Sequence, residues 1–386
     1  MMKHRTRLSV AAAALVVSAS SIGLTMGTAQ PAQAWALTGC NLGDRLMTWS
    51  VGGEYGSDYE LLSRYAAENW ATTTWISSEQ YIQKGPPKVW MTVEDYGNTS
   101  WAGRAPDAFP PLCGASEDGS APPIQRILIN HYEHRTATST EKRSTIAHEF
   151  GHALGLAHPP EQVEEMSCAQ VALMNHYWAP RSDCGVFTAQ PDDIAGVNYI
   201  YYPLPNDPWG APILSSSQAP SSAATPYVLD FKHGYDSLRD VATEASDVVT
   251  VQATEESRVE YIGGGSNDLY GNPVPFTVST VRVTAVANGT HDVGDLIEVR
   301  QYGDNTEYAV NGAPILEPAE EYLLYLTPWE TLDSSNTGQY LIVGEQAAWR
   351  LVGDHGEAIT GRSNLPLRVS VSEVGGTLKA EASDGR

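Results

Sequence analysis

The chain has 386 residues, of which 42% are hydrophobic, and its 46 acidic side chains outnumber 23 basic ones, giving a formal net charge of -23. This length has room for one large domain or two ordinary ones, with enough apolar residues to build real cores. Such acidity argues against nucleic acid or anionic lipid as a partner and favours a well-solvated extracellular surface.

The first 34 residues differ from the rest of the chain. Lys3, Arg5 and Arg7 precede an apolar run, and the small-residue sequence Ala-Gln-Ala ends at Ala34. This order is typical of a secretory signal peptide. Serine and glycine interrupt the run before it reaches the roughly 20 residues of a spanning helix, and no later stretch is apolar enough to cross a bilayer. We therefore expect a signal peptide at 1–34 and a secreted, extracellular protein without a membrane span.

The cysteines Cys40, Cys113, Cys168 and Cys184 are an even number in a chain predicted to be exported. Two disulfides are therefore expected, with three possible pairings. We favour Cys40 with Cys113 and Cys168 with Cys184, because the second pair would close a local loop. A cysteine-ligated zinc is the competing interpretation, but the sequence has no CxxC pair to support it.

The hydrophobic pattern of residues 35–203 predicts an α/β domain. Met47–Val51 reads as a strand, Tyr59–Trp70 as a helix, and Lys88–Val93 and Arg126–Asn130 as further strands. A TxxE capping box at Thr138 predicts a second helix that runs through His152. The expected fold is a mixed, twisted sheet with the second helix carrying the most distinctive motif.

A stretch rich in Pro, Ser and Ala at 204–226 reads as a linker. Beyond it, short β segments separated by Gly, Asn, Asp and Pro predict an all-β barrel or sandwich over 227–374, with one short helix near Ser237–Ala245 and a tail at 375–386. The predicted strands are Asp247–Gln252, Phe276–Val286, Leu296–Gln301, Tyr322–Leu326 and Tyr340–Val343.

The motif HExxHxxGxxH spans residues 148–158. His148 and His152 are four residues apart, so a helix places both imidazoles on one face. Gly155 stands where the helix must end, since glycine accepts a left-handed backbone. The chain then returns and can bring His158 to the same ion. Three neutral imidazoles leave a tetrahedral Zn²⁺ one open position, which marks a catalytic site rather than a structural one.

Glu149 is adjacent to a ligand and is the candidate general base, able to take a proton from water and deliver it to a departing amine. The zinc would lower the pKa of that water and polarise a substrate carbonyl. A helix that merely happens to carry histidines is the alternative, but the full motif is far more specific than HExxH alone.

At these residues the chain resembles the metzincin zinc peptidases, and among them the matrixins. The resemblance implies a metzincin-like catalytic domain, with Met174 as the apolar floor beneath the metal and 190–201 as the closing helix. It also implies that Arg126–Asn130 is the edge strand above the substrate cleft, and that cleavage precedes a hydrophobic residue. The substrate pocket would be bounded by Pro159, Asn175, His176 and Tyr177.

The chain departs from the matrixin pattern in two places. The ligand run of a second, structural zinc is missing from 98–107, and His131 and His134 nearby are weaker ligand candidates. His176 stands two residues after Met174, where related families place a tyrosine ligand, so an extra ligand there is an alternative. Whether Ca²⁺ also binds is left open.

The sequence therefore predicts a secreted zinc-dependent endopeptidase acting on proteins or peptides. The alternative is a non-catalytic, zinc-containing extracellular binding protein whose C-terminal β domain carries the activity. That domain resembles an oligonucleotide/oligosaccharide-binding barrel but lacks the basic stripe of a nucleic-acid binder. Targeting, control of the peptidase and structural support all remain open as its role.

Overall fold

The structure of the chain is a computed structural model. It describes residues 35–81, 86–105, 124–159, 167–201, 229–231, 235, 237–263, 274–304, 315–333, 337–345, 347–359 and 365–370. The predicted signal peptide at 1–34, the linker at 204–226 and the tail at 375–386 lie outside these residues. So does Cys113.

The N-terminal half of the described chain is a sheet flanked by helices. Its helices are α1 (Gly56–Thr73), α2 (Ser139–Ala153), α3 (Trp178–Asp183) and α4 (Pro191–Ile200). Its strands are β1 (Ala36–Leu37), β2 (Leu46–Gly52), β3 (Ser77–Gln80), β4 (Val89–Glu94), β5 (Trp101–Arg104), β6 (Gln125–Asn130) and β7 (Leu156–Ala157). A further strand, β8 (Leu229–Phe231), follows the predicted linker and joins the same sheet.

Within the described residues the main sheet has the order β3-β2-β4-β6-β5-β8, and β1 pairs separately with β7. Strands β2, β3, β4 and β6 are mutually parallel, while β5 and β8 run antiparallel to their neighbours. All six residues of β4 are buried, as expected for a central parallel strand covered on both faces. The predicted mixed sheet is thus present.

The two long helices pack against each other on this sheet. Tyr59, Ala66 and Trp70 lie on the buried side of α1, at the spacing that predicted the helix. The Trp70 indole donates a hydrogen bond of 2.9 Å to the carbonyl of Ala147 in α2. This bond fixes α1 against the helix that carries the metal motif.

The predicted edge strand is wrong. Arg126–Asn130 falls in β6, which is internal because β4 pairs with one side and β5 with the other. The strand beyond it is β5, only four residues long and containing Gly103, so it lacks the apolar alternation by which a sequence reveals a strand.

The C-terminal module comprises a short helix, α5 (Leu238–Glu244), and eight strands in the described residues. The strands are β9 (Asp247–Ile262), β10 (Val274–Asn288), β11 (Leu296–Tyr302), β12 (Glu321–Pro328), β13 (Gln339–Ile342), β14 (Ala348–Val352), β15 (His355–Ala358) and β16 (Arg368–Ser370). A 3-10 turn at Val343–Glu345 follows β13. The predicted helix and all five predicted β segments coincide with these elements.

Strand pairing closes the first five strands of the module into a ring. In the described residues the order is β9-β10-β11-β13-β12, and β12 pairs back to β9. Strands β11 and β13 are parallel, and the other pairs in the ring are antiparallel. Buried valines such as Val251, Val281 and Val299 share a hydrophobic core with Leu324 and Trp349.

A small aromatic cluster joins the module to the N-terminal sheet. Tyr96, Trp101 and Tyr177 pack with Phe276 and Tyr302 of the module, and all five are buried. The N-terminal core and the module core are each larger than this cluster. The module is therefore docked on the side of the sheet that carries β5.

No helix among the described residues has both the length and the apolar character needed to cross a membrane. Cys168 and Cys184 form a disulfide, as predicted, and Cys40 is also disulfide-bonded.

Replacing both Cys168 and Cys184 with alanine is expected to lower the free energy of unfolding by about 3 kcal/mol, because an uncrosslinked loop of this length gains entropy on unfolding. Urea denaturation of the double variant beside the wild type, both without reductant, measures the difference. An unchanged midpoint and slope would contradict the expectation.

Candidate metal centre

Helix α2 begins where the capping box predicts. Thr138 is its N-cap, accepting from the Glu141 amide at 3.3 Å, while the Glu141 carboxylate accepts from the Thr138 amide at 2.6 Å. The helix then carries His148 and His152 on one face, one turn apart, and buries both completely.

The third histidine arrives by a sharp change of direction. Gly155 has a φ of +105°, in the left-handed region that favours glycine, and a Cβ on it would meet the carbonyl oxygen of Cys40 at 2.6 Å. Strand β7 then pairs with β1, which fixes the returning chain. The Nε2 atom of His158 ends 3.0 Å from that of His148 and 3.1 Å from that of His152.

Hydrogen bonds at the opposite nitrogens assign the tautomers. His148 Nδ1 lies 2.7 Å from the Leu173 carbonyl and His152 Nδ1 lies 2.8 Å from the Leu156 carbonyl. A carbonyl only accepts, so each Nδ1 carries the proton and each Nε2 presents a lone pair. The Nε2 atoms of His148 and His152 are 3.1 Å apart, with no proton available between them.

This arrangement fits a cation. Ligand nitrogens at 2.0–2.1 Å in a tetrahedral zinc site are about 3.3 Å from one another, close to the separations found here. Among the described residues, one group of three side chains could together hold a metal ion: His148, His152 and His158. The predicted ligands are therefore brought together.

Burial keeps these imidazoles in the neutral, ligating form. Removal from water lowers the pKa of His148 and His158 well below the ordinary value and that of His152 to about 4. The buried guanidinium of Arg181 acts in the same direction on all three. Its Nη1 lies 2.9 Å from His148 Nδ1 and donates to the Asn175 carbonyl, since the proton of Nδ1 already faces Leu173.

Glu149 is fully buried and faces β5. A Cβ on Gly103 of that strand would lie 2.5 Å from Glu149 Oε1 and 2.8 Å from Thr145 Cγ2. Glycine at 103 is therefore what allows the strand to approach the carboxylate. Sequence reasoning missed this residue, because an isolated glycine gives no indication of which helix it will meet.

Met174 packs beneath the helix. A Cβ on Gly151, which lies between the two helical ligands, would collide with Met174 Sδ and approach Met174 Cε to 3.2 Å. The thioether of Met174 thus fills the space that the absence of a side chain at Gly151 leaves open. This is the position that the resemblance implied for Met174.

Asp193 holds the segment containing Met174 and was not identified from the sequence. Its carboxylate is fully buried and accepts from the amides of Leu173 at 2.9 Å, Met174 at 3.1 Å and Gln190 at 2.8 Å. Burial raises its pKa to about 6 despite these bonds. The sequence signal was the Gln-Pro-Asp-Asp start of α4, in which Asp193, the third residue of the helix, forms a capping box with Gln190.

The predicted pocket residues have different environments. His176 is half-buried, with its ring centroid 5.3 Å from that of His158. Tyr177 is 5% exposed and contacts the C-terminal module. The side-chain oxygen of Asn175 accepts a hydrogen bond of 2.9 Å from the Tyr177 amide. Pro159 is partly buried and is the last described residue before 160–166.

His131 and His134 have structural partners. His131 Nδ1 lies 3.0 Å from the Tyr59 hydroxyl and its ring stacks on Tyr55. His134 contacts the Asn130 carbonyl at 2.9 Å and the Thr145 hydroxyl at 3.2 Å. Neither belongs to a metal-capable group among the described residues.

Asp193→Ala is expected to lower the free energy of unfolding by about 3 kcal/mol, because two buried amides and one partly buried amide lose their acceptor. It should also weaken zinc binding roughly tenfold, since the Leu173 carbonyl that orients His148 loses its anchor. Urea denaturation and competition with a chromogenic chelator measure the two effects. Asp192→Ala, at the exposed neighbouring position, should change stability by no more than about 0.5 kcal/mol. Equal effects of the two variants would contradict the anchoring role.

Comparison with known proteins agrees with the motif. Residues 65–202 match the family model of the matrixins, Peptidase_M10. A comparison with curated proteins finds no similar sequence. Two solved structures of myroilysin share 19% and 20% identity over 32% and 38% of this chain, with TM-scores of 0.24 and 0.21. The match spans 54% and 64% of those chains, less than two thirds in each case. The part of the chain that builds the three-histidine centre is therefore identified as matrixin-like.

Proposed function

We propose that the chain is a secreted zinc-dependent endopeptidase that hydrolyses peptide bonds of proteins, with His148, His152 and His158 as zinc ligands and Glu149 as general base. The observation that carries this proposal is the meeting of three Nε2 atoms within 3.0–3.1 Å of one another. The rings of His148 and His152 donate their Nδ1 protons to backbone carbonyls, so their Nε2 atoms present lone pairs that can bind a metal. The match of residues 65–202 to the matrixins supports the same chemistry.

Zinc bound there would activate water and polarise the substrate carbonyl. The chain itself supplies the base: the Glu149 carboxylate accepts the proton of the attacking water and passes it to the departing amine. Its burial against Gly103 limits the positions that it can adopt. The Leu173 and Leu156 carbonyls keep His148 and His152 turned toward the ion.

Substrate recognition is proposed to use β5 rather than β6. Strand β5 runs past Glu149, and its edge remote from β6 is the position where an extended peptide would add by main-chain pairing. Such pairing accepts many sequences. Selectivity would then come from Pro159, His176 and Tyr177 beside the ligands, with an apolar residue after the cleaved bond as the resemblance implies.

Export is also part of the proposal. The disulfide between Cys168 and Cys184 supports an oxidising compartment, in line with the leader-like sequence of residues 1–34. The proposed order is leader, peptidase domain, linker, C-terminal β domain and tail, with the boundaries predicted from the sequence.

The alternative, a zinc-stabilised binding protein without catalysis, does not need a carboxylate beside the ligands. Glu149 is fully buried against Gly103 of β5, one residue along the chain from the proposed ligand His148. This placement favours the peptidase.

Glu149→Gln is expected to reduce casein hydrolysis by the zinc-loaded protein about 100-fold or more, because the amide cannot accept the water's proton. Zinc content should stay at the wild-type level, and a chelator should abolish the activity of the wild type. Release of fluorescent peptides from labelled casein measures the rate, and elemental analysis measures the metal. Folded, zinc-loaded wild type that cleaves neither casein nor a peptide library would instead support the binding-protein alternative.

A further inference from the structure

The outer edge of β5 is already occupied by the chain itself. Strand β8 pairs with it antiparallel, with Trp101 opposite Phe231, Gly103 opposite Asp230 and Arg104 opposite Leu229. Strand β6 pairs with the other edge of β5. The main chain of β5 is thus engaged on both sides, and one partner is a segment that follows the predicted linker.

This pairing lies beside the proposed catalytic base. Gly103 is the β5 residue packed on Glu149, and Asp230 is its partner across the strand pair. Neighbouring strands are about 4.8 Å apart, so β8 runs one strand spacing from the strand that covers the base. An extended peptide that adds to the same edge would need the same main-chain groups. Strand β8 and such a substrate therefore exclude each other.

The C-terminal module also contacts β5 and the proposed substrate pocket. Arg104, which is 1% exposed, has its guanidinium 3.4 Å from the centroid of the Tyr302 ring in β11. Tyr177, from the proposed substrate pocket, is buried in the cluster that contains Phe276 and Tyr302. A residue expected to meet substrate is thus covered by the module.

A set of hydrogen bonds fixes the docked position. Asn98 Nδ2 donates to the Pro328 carbonyl at 2.9 Å, and Asn98 Oδ1 accepts from the Glu330 amide at 2.7 Å. The Leu332 amide donates to Asp95 at 2.7 Å, and the Tyr132 hydroxyl donates to Glu330 at 3.1 Å. These bonds join the segments around Asp95–Asn98 and Tyr132 of the N-terminal half to Pro328–Leu332 of the module.

We propose that the C-terminal module is an intramolecular inhibitor whose segment Leu229–Phe231 occupies the substrate-binding edge of β5. The inference rests on the proposed endopeptidase function and selects control of the peptidase among the roles open to the module. The docked form is latent, and extended substrates are cleaved only after β8 leaves β5.

Tethering makes this competition effective. A segment joined to the same chain acts at an effective concentration in the millimolar range, well above that of most protein substrates. The apparent affinity for an extended substrate falls in proportion to the fraction of molecules with a free edge. Weakening β8 should therefore raise the rate at low substrate concentration.

The test uses the full mature chain, residues 35–386, loaded with zinc. Asp230→Pro removes a backbone donor from the middle of β8 and disfavours the strand. We expect initial hydrolysis of labelled casein to rise about tenfold or more over the wild type. Ser222→Pro, the same type of substitution in the predicted linker, is the matched control and should leave the rate unchanged.

Hydrogen exchange supplies a readout that does not depend on activity. In Asp230→Pro those amides of Trp101–Arg104 that face β8 should exchange faster, while those of β4 and β6 stay protected, which shows release of the edge without unfolding. Asn98→Ala removes both side-chain hydrogen bonds of Asn98 to the module, leaves its backbone bond to Glu330, and should also raise the casein rate. It tests the docking without altering β8.

Three results would overturn the proposal. Faster exchange in β5 with an unchanged casein rate would leave the peptidase function standing but remove the inhibition. Rapid exchange of β5 in the wild type would show that the edge is free. Folded, zinc-loaded wild type and Asp230→Pro that are both inert would remove the peptidase function together with its inhibitor.

Discussion

The centre depends on imidazole nitrogens that meet in a buried space, where the lone pairs of His148 and His152 face each other. Without a shared cation, these two acceptors, 3.1 Å apart, repel, and burial removes the water that would screen them. The geometry persists because the Leu173 and Leu156 carbonyls hold the opposite nitrogens as donors. Two carbonyls from outside helix α2 therefore decide which nitrogen of each ring faces the centre.

The support for those carbonyls extends outward by identifiable contacts. Asp193 binds the amides of Leu173 and Met174, and its own helix α4 begins at the same carboxylate. Met174 then fits against the open face of α2 at Gly151. On the other side, β1 pairs with β7 and holds the turn after Gly155. Asp193 thus holds Leu173, whose carbonyl in turn orients His148, although Asp193 lies far from His148 in the sequence.

Strand β5 connects this centre to the rest of the molecule. Gly103 brings the strand against Glu149, Arg104 reaches Tyr302 of the C-terminal module, and the outer edge pairs with β8. The proposed inhibition by the C-terminal module rests on these contacts.

The sequence by itself determined what depends on local spacing. The capping box at Thr138, the four-residue step from His148 to His152 and the glycine at 155 follow from helix geometry, and the structure confirms each of them. The β segments of the C-terminal module were visible for the same reason, since alternation along one strand is a local signal. Only the tertiary structure decided which strand borders Glu149, that Asp193 anchors the segment around Met174, and that residues 229–231 pair with β5. These are contacts between segments far apart in the chain. Backbone donors and acceptors are the same in nearly every residue, so the sequence of a strand does not reveal which strand it pairs with.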